Sequence, residues 1–251
     1  MSTPAIDLSI IVPAYNEENR ITPTLLELDE HLSLGNMRYE IVVVDDGSSD
    51  RTVPVVSKIA AEHQQIRLIG TRPNRGKGHA VRVGMLEARG AVRIMFDADG
   101  SMPATELPKL YNPVATGEVD VAIGSRYAAI GAQADQPRWR VAWSRMCNWF
   151  IQRTVVAGVA DTQCGFKAFS ASAATVLFSR ATIDGWAFDL EILALADRFG
   201  MTIEECPVTW VDDEQSKVNP IRDFVSVVRE WMTIRRNLRR GVYGQLAEVS
   251  S

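Results

Sequence analysis

Asp97 and Asp99 stand two positions apart with only Ala98 between them, directly after the apolar run Ile94, Met95 and Phe96. On a strand, side chains at i and i+2 point the same way, so this spacing predicts two carboxylates on one side. Like charges that close repel unless a cation lies beside them. Hard divalent cations take carboxylate oxygens and keep phosphate oxygens in their shell, so the pair suits a metal-bound phosphate compound. A lone D-x-D is more often a solvated turn. Here, however, other polar clusters also follow apolar runs: Tyr15, Asn16 and Glu17 after the first, Asp45 and Asp46 after the second, and Gly124, Ser125 and Arg126 after a later one.

Several other chemistries fail on spacing. A calcium-binding EF-hand loop counted from Asp97 would need Gly at position six and Glu at position twelve, where Met102 and Pro108 stand. The stretch GTRPNRGKG resembles a P-loop, but Gly70 lies one residue too far from Gly76 and Lys77, and Gly78 replaces the hydroxyl residue that would meet Mg²⁺. No HExxH or GxSxG occurs, and the three histidines His31, His63 and His79 are scattered.

The elements that must position these residues follow from hydrophobic period. Apolar, β-branched runs at 8–16, 39–50, 66–71, 91–100 and 119–127 predict strands. Between the first two, Ile21, Leu25, Leu28 and Leu32 recur at helical spacing, and helices are also expected over 51–63 and after the Gly-rich loop at 74–78. Strands alternating with helices predict an α/β fold, with a mostly parallel sheet and helices on both faces. In such sheets ligands bind beyond the carboxyl ends of the strands, which is where the polar clusters fall. Beyond residue 130 the pattern changes. A basic, aromatic stretch at 131–149 is expected to cover the rim, with a short strand over 162–170, a helix over 185–200 carrying Phe188, Ile192, Leu195 and Phe199, and a late strand over 203–214. Residues 221–241 carry six arginines against Asp223 and Glu230, with Phe224, Val228, Trp231 and Ile234 interleaved, which predicts a basic amphipathic helix lying on a membrane surface.

Bulk composition narrows the partners. The 251 residues, 46% hydrophobic and 23% charged, can bury a large core, and nothing in them demands a second domain. A net charge of −4 offers no general attraction for nucleic acid. Three cysteines (Cys147, Cys164 and Cys206) without C-x-x-C spacing favour a reducing compartment. The start lacks a basic n-region and no apolar run reaches a membrane span, so neither a leader nor a transmembrane helix is expected. The expected location is cytoplasmic, peripheral to the membrane's cytoplasmic face.

The segments LSIIVPAYNEE, VVVDDGSSDRT, NRGKGHAVRVGM, FDADGSMP and GSRY, in this order over residues 8–127, resemble the family-2 inverting glycosyltransferases of the GT-A fold. DTQCGFKAFS (161–170), GWAFDLEIL (185–193) and WVDDEQSKVNP (210–220) are similar to the polyprenyl-phosphate branch, above all to dolichyl-phosphate β-glucosyltransferases. Mannose-transferring cousins show Ser-Gly-Phe-Arg where this chain has QCGFK. The resemblance implies one GT-A, Rossmann-like domain over 1–251, with a nucleotide-sugar half (8–127), an acceptor half (128–219) and the basic helix (220–241). It implies transfer of glucose from UDP-glucose to a polyprenyl monophosphate with Mg²⁺ or Mn²⁺ as cofactor. Alternatives are GDP-mannose as donor, or a glycan acceptor.

The same resemblance implies residue roles. Pro13, Tyr15, Glu17, Val44, Asp46, Lys77 and Ala98 would line the nucleotide pocket, Asp46 accepting from base or ribose and Asp45 being structural. Asp97 and Asp99 would bracket ribose and metal, Asp99 being the more direct ligand, and Lys217 would neutralise the diphosphate. A phosphate monoester is largely dianionic at pH 7 and is already a nucleophile, so the site must chiefly supply cations. Arg126, Arg140 and Arg145 are the expected phosphate partners, with Arg138 in reserve. Asp189 stands where hydroxyl-acceptor relatives place a base; with a phosphate acceptor it would orient Arg or the sugar instead.

Overall fold

The computed structural model describes residues 6–125, 159, 161–162, 164–210 and 220–244. Its sheet has seven strands: β1 (Ile6–Ala14), β2 (Tyr39–Asp45), β3 (Ile66–Gly70), β4 (Gly90–Met95), β5 (Val121–Ser125), β6 (Lys167–Ser170) and β7 (Ile203–Pro207). Their order is β3-β2-β1-β4-β6-β5-β7. β1 pairs in parallel with β2 and β4, β2 with β3 and β5 with β7, while β6 runs antiparallel between β4 and β5. The sheet is therefore mostly parallel, as the alternating pattern requires.

Helices cover both faces because the strands are apolar on both. Along β1, Leu8, Ile10 and Val12 enter one core and Ile11 the other, as the two-residue period dictates. One layer holds α1 (Ile21–Ser33), α2 (Thr52–Glu62) and α4 (Leu107–Ala115); the other holds α3 (Lys77–Glu87), α5 (Ala171–Arg180), α6 (Phe188–Arg198) and α7 (Pro220–Arg240). On α1 the predicted stripe Ile21, Leu25, Leu28 and Leu32 is buried. Each such side chain contributes roughly 1.5–3 kcal/mol of hydrophobic burial.

Two sequence expectations change, and two helices are added. β4 ends at Met95, so Asp97 and Asp99 lie in a turn and not on a strand. Beyond the strand the chain turns: Asp99 accepts from the Ser101 backbone N–H at 3.0 Å and Gly100 takes φ +72°, a conformation that does not continue a strand. Two helices, α4 and α5, lie where the hydrophobic pattern sets no expectation. α5 is started by Ser170, whose side chain accepts from the Ala173 N–H. Finally, part of the expected outward stripe of α7 is engaged by the protein itself, the side chain of Phe224 lying outside the described residues. Ile234 is fully buried, and Val227, Trp231 and Leu238 pack against the core formed with α6. Burying that stripe on the protein gains more than leaving it for a separate surface. No helix among the described residues is long and apolar enough to cross a membrane.

Candidate active site

The first three rim loops are tied to one another through side chains that accept from backbone N–H groups. β1 ends at Ala14, and Tyr15 projects, half exposed. Asn16 takes φ +57° and its Oδ1 accepts from the N–H groups of Ser49 and Asp50. The N–H of Glu17 donates to Thr52 Oγ1. The Glu17 carboxylate holds Arg20 bidentately at 2.7 and 2.8 Å, so it closes the entry to α1.

β2 ends in two buried aspartates with separate tasks. Asp45 accepts from the N–H groups of Gly47 and Ser48, an Asx turn with Gly47 at φ +77°. Asp46 accepts from the N–H groups of Arg75 and Gly76 and from Thr71 Oγ1. Its carboxylate thus fastens the Gly-rich loop to the rim. Val44, beneath it, is wholly buried, Pro13 is half-buried, and Ala98 is buried with its carbonyl accepting from Thr24 Oγ1.

The glycines of that loop answer to a protein neighbour. A Cβ on Gly76 would lie 2.5 Å from the carbonyl oxygen of Asp184, and one on Gly78 would lie 2.7 Å from that of Ile183. The segment between α5 and α6 is therefore pressed against the start of α3. Asp184 holds Arg75 and Arg82, whose guanidinium groups keep its carboxyl below the usual range against the upward push of burial.

Lys77, the first residue of α3, reaches the D-x-D turn. Its Nζ lies 2.6 Å from Asp97 Oδ1 and 5.6 Å from the centre of the Trp186 ring. Burial alone would lower the ammonium pKa, but the charges of Asp97, Asp189 and Asp99 outweigh it and hold Lys77 above its ordinary value. Asp189, in the first turn of α6, is itself paired with Lys167 on β6, Nζ to Oδ1 2.6 Å, and both are buried. The Lys167 ammonium also donates to the carbonyl oxygen of Cys164. Burial pushes the Asp189 carboxyl above the ordinary range; Lys167 and Lys77 pull the other way, and Asp97 adds to the rise. The sequence brings these groups together from four places to form a cluster of alternating sign: Asp97, Lys77, Asp189, Lys167.

Gly165 fixes the far side of Asp97. A Cβ there would lie 2.0 Å from Asp97 Oδ2, so no larger residue leaves the carboxylate where it is. Sequence reasoning missed Gly165 and Lys167 as site residues. The available signal was a lone Lys between Phe166 and Phe169 on an apolar strand, since a lysine in that setting must find a partner. It missed Trp186 as well, whose half-exposed ring carries no periodic signal.

Among the described residues, no three His, Cys, Asp or Glu side chains gather around one point. Asp97 and Asp99 are hard oxygen donors on this rim. A divalent ion there would complete its shell with phosphate and water oxygens, a pattern that suits Mg²⁺ or Mn²⁺. The donor set thus fits an ion that arrives with its substrate. Arg126, Arg138, Arg140, Arg145 and Lys217 lie outside the described residues.

A family model described as glycosyl transferase family 2 matches residues 9–178. The chain is 36% identical to the dolichyl-phosphate beta-glucosyltransferase of Drosophila melanogaster over 92% of its own length and 75% of that protein. It is 33% identical to the human protein of the same name, over 96% and 78%. Among solved structures, glucosyl-3-phosphoglycerate synthase from Mycobacterium tuberculosis, in complex with Mn²⁺, UDP-glucose and phosphoglyceric acid, superposes with a TM-score of 0.66 at 20% identity, covering 91% of this chain and 78% of that one. That likeness establishes the GT-A arrangement of the sheet.

Proposed function

Because the chain belongs to glycosyl transferase family 2, we propose that it moves glucose from UDP-glucose, with inversion, onto a polyprenyl monophosphate of the dolichyl type. The shared name of its relatives, dolichyl-phosphate beta-glucosyltransferase, supports the sugar and the acceptor class. The observation that carries it is the state of Asp189, whose Oδ1 is held by the buried Lys167. A hydroxyl acceptor would need a carboxylate free to take its proton, whereas a phosphate dianion needs none.

The residues then divide the work. Tyr15 and the loops after β1 and β2 receive the nucleoside. Lys77 and Lys217 meet negative charge on the diphosphate. Asp97 and Asp99 would hold Mg²⁺ or Mn²⁺, which when bound offsets charge on the departing UDP. Arg126, Arg140 and Arg145 hold the acceptor phosphate, where their planar forks fit its oxygens, and keep its attacking oxygen in line with C1. That oxygen forms the new bond to C1 as the bond from C1 to the UDP oxygen breaks, with its electrons leaving on UDP.

Access to a lipid acceptor implies contact with a membrane. Part of the apolar stripe of α7 is turned inward, so the contact falls to its outer basic groups Arg235, Arg236, Arg239 and Arg240, beside the exposed Met232. Such a face is attracted to anionic lipid by roughly 1 kcal/mol per basic residue near the surface. On this reading the protein works on the cytoplasmic side of a membrane, where nucleotide sugars are available.

The test offers purified protein radiolabelled UDP-glucose or GDP-mannose, with polyprenyl phosphate in detergent and Mg²⁺, and counts label extracted into organic solvent. Label from UDP-glucose that disappears with EDTA is expected. Label from GDP-mannose alone would replace the sugar. No lipid label from either donor, in protein that binds UDP, would move the acceptor to a glycan or soluble alcohol.

A further inference from the structure

Lys167 is the most deeply buried cation of the site among the described residues. It sits on β6 between Phe166 and Phe169, 1% exposed, with its ammonium on Asp189 Oδ1 at 2.6 Å and on the Cys164 carbonyl. Neither contact builds the sheet, because the β6 ladder is made by backbone groups. A buried ammonium is costly to desolvate, and a hydrophobic residue of similar length would fill the same space at less cost. The pair points inward to chemistry: Asp189 next feels Lys77, and Lys77 touches Asp97.

We propose that Lys167 is a positioning residue that acts through Asp189 and sets the acceptor class. By bonding Oδ1 it stabilises Asp189 as an anion, which makes the carboxylate a poorer proton acceptor and holds it as a counter-charge for Lys77. The acceptor must then arrive already anionic. With a phosphate dianion the charges balance without a base. UDP-glucose (2−) and the monoester (2−) become the lipid-phosphate sugar (1−) and UDP (3−), and no proton moves. With an alcohol a proton would be released at the attacking oxygen, and the Lys167 ammonium opposes its capture by Asp189. The inference rests on the phosphate-acceptor reading above.

The same pair explains why one charge cannot be removed alone. Lys167→Met leaves a buried carboxylate without its partner, and Asp189→Asn leaves a buried ammonium without its own. Removing both leaves neither. A residue acting through another shows this as strong non-additivity, whereas a true base shows no recovery.

The experiment measures kcat and KM for both substrates, and UDP binding by calorimetry, for wild type, Lys167→Met, Lys167→Arg, Asp189→Asn and the double variant Lys167→Met/Asp189→Asn. Each single neutralisation is expected to lower kcat ~100-fold while UDP affinity stays within ~3-fold, and the double variant to recover at least ~10-fold over either single. Lys167→Arg, which keeps the charge, is expected to stay within ~10-fold of wild type. The proposal is overturned if Lys167→Met turns over at the wild-type rate, or if the double variant is no better than Asp189→Asn. Should either single variant fail to fold, the double variant still decides, since a neutral pair keeps the packing and an inactive folded double contradicts the proposal. Failure of the underlying reading shows separately, as wild-type protein transferring glucose to a polyprenol and not to its phosphate.

Discussion

The ammonium of Lys77 lies 2.6 Å from Asp97 Oδ1, so the first residue of α3 is bonded to the turn that follows β4. The contact joins two rim loops that are distant in sequence, and it sets one carboxylate of the D-x-D apart from the other. Asp97 is paired with a cation, while Asp99 accepts from a backbone N–H two residues on. Replacing Lys77 by Met is expected to lower kcat/KM for UDP-glucose about 10- to 100-fold, the range for losing a hydrogen bond to a charged group. Steady-state kinetics with varied donor check this.

Asp99→Ala should abolish metal-dependent transfer. Among the described residues its carboxylate accepts only from the Ser101 N–H, so the melting temperature should move by no more than about 2–4 °C, the equivalent of ~1 kcal/mol in a domain of this size. Near-normal turnover in that variant, measured with Mg²⁺ and with EDTA, would remove Asp99 from the site.

Gly165→Ala separates catalysis from folding at a single methyl group. The added Cβ meets the end of a movable side chain, Asp97 Oδ2, and not backbone. The fold can therefore accept it by displacing the carboxylate. A shift of about 1 Å at a reacting centre costs on the order of 100-fold in rate. A variant that melts like wild type but transfers glucose ~100-fold more slowly is the expected result, and unchanged turnover would show that Asp97 does not need its present position.

Far from the site, Glu40 is a stability element. Its buried carboxylate accepts from Ser9 Oγ, the Arg89 N–H and guanidinium, and Arg67. Burial pushes its pKa up, but Arg67, Ser9 and Arg89 prevail and bring it from the ordinary 4.5 to about 2. The folded value lies below the unfolded one. The stabilisation is therefore complete above pH 4.5 and is lost as pH falls towards 2. At one pKa unit per ~1.4 kcal/mol it amounts to about 3 kcal/mol. Glu40→Gln should lose that amount near pH 7 and show a flatter acid limb in urea denaturation between pH 5 and pH 2.

Much of this was legible in the residues themselves. The α/β alternation, the α1 stripe and the polar rim follow from period and composition, because a strand or helix must bury its apolar side wherever it packs. The motif residues Asp97, Asp99, Lys77 and Asp189 could likewise be named from the chain. Their bonding could not. The family resemblance implies a ligand-facing role for Asp46, and the structure shows its carboxylate engaged by the N–H groups of Arg75 and Gly76. The glycines at 76 and 78 give the stretch only a failed likeness to a P-loop, and the structure shows that they make room for residues 183–185. Trp231 and Ile234 have the pattern of a membrane-facing stripe, and they pack on α6.

The sequence by itself determined which groups could carry charge to the rim, since strand ends in a parallel sheet are fixed by where apolar runs stop. Only the tertiary structure decided which charges meet. Lys167 lies 22 residues from Asp189 and Lys77 lies 20 from Asp97. No local periodicity relates such positions. Their pairing is set by β6 slotting antiparallel between β4 and β5 while α3 and α6 pack together on one face, a long-range arrangement that desolvates four charged groups at once and leaves each to be satisfied by another.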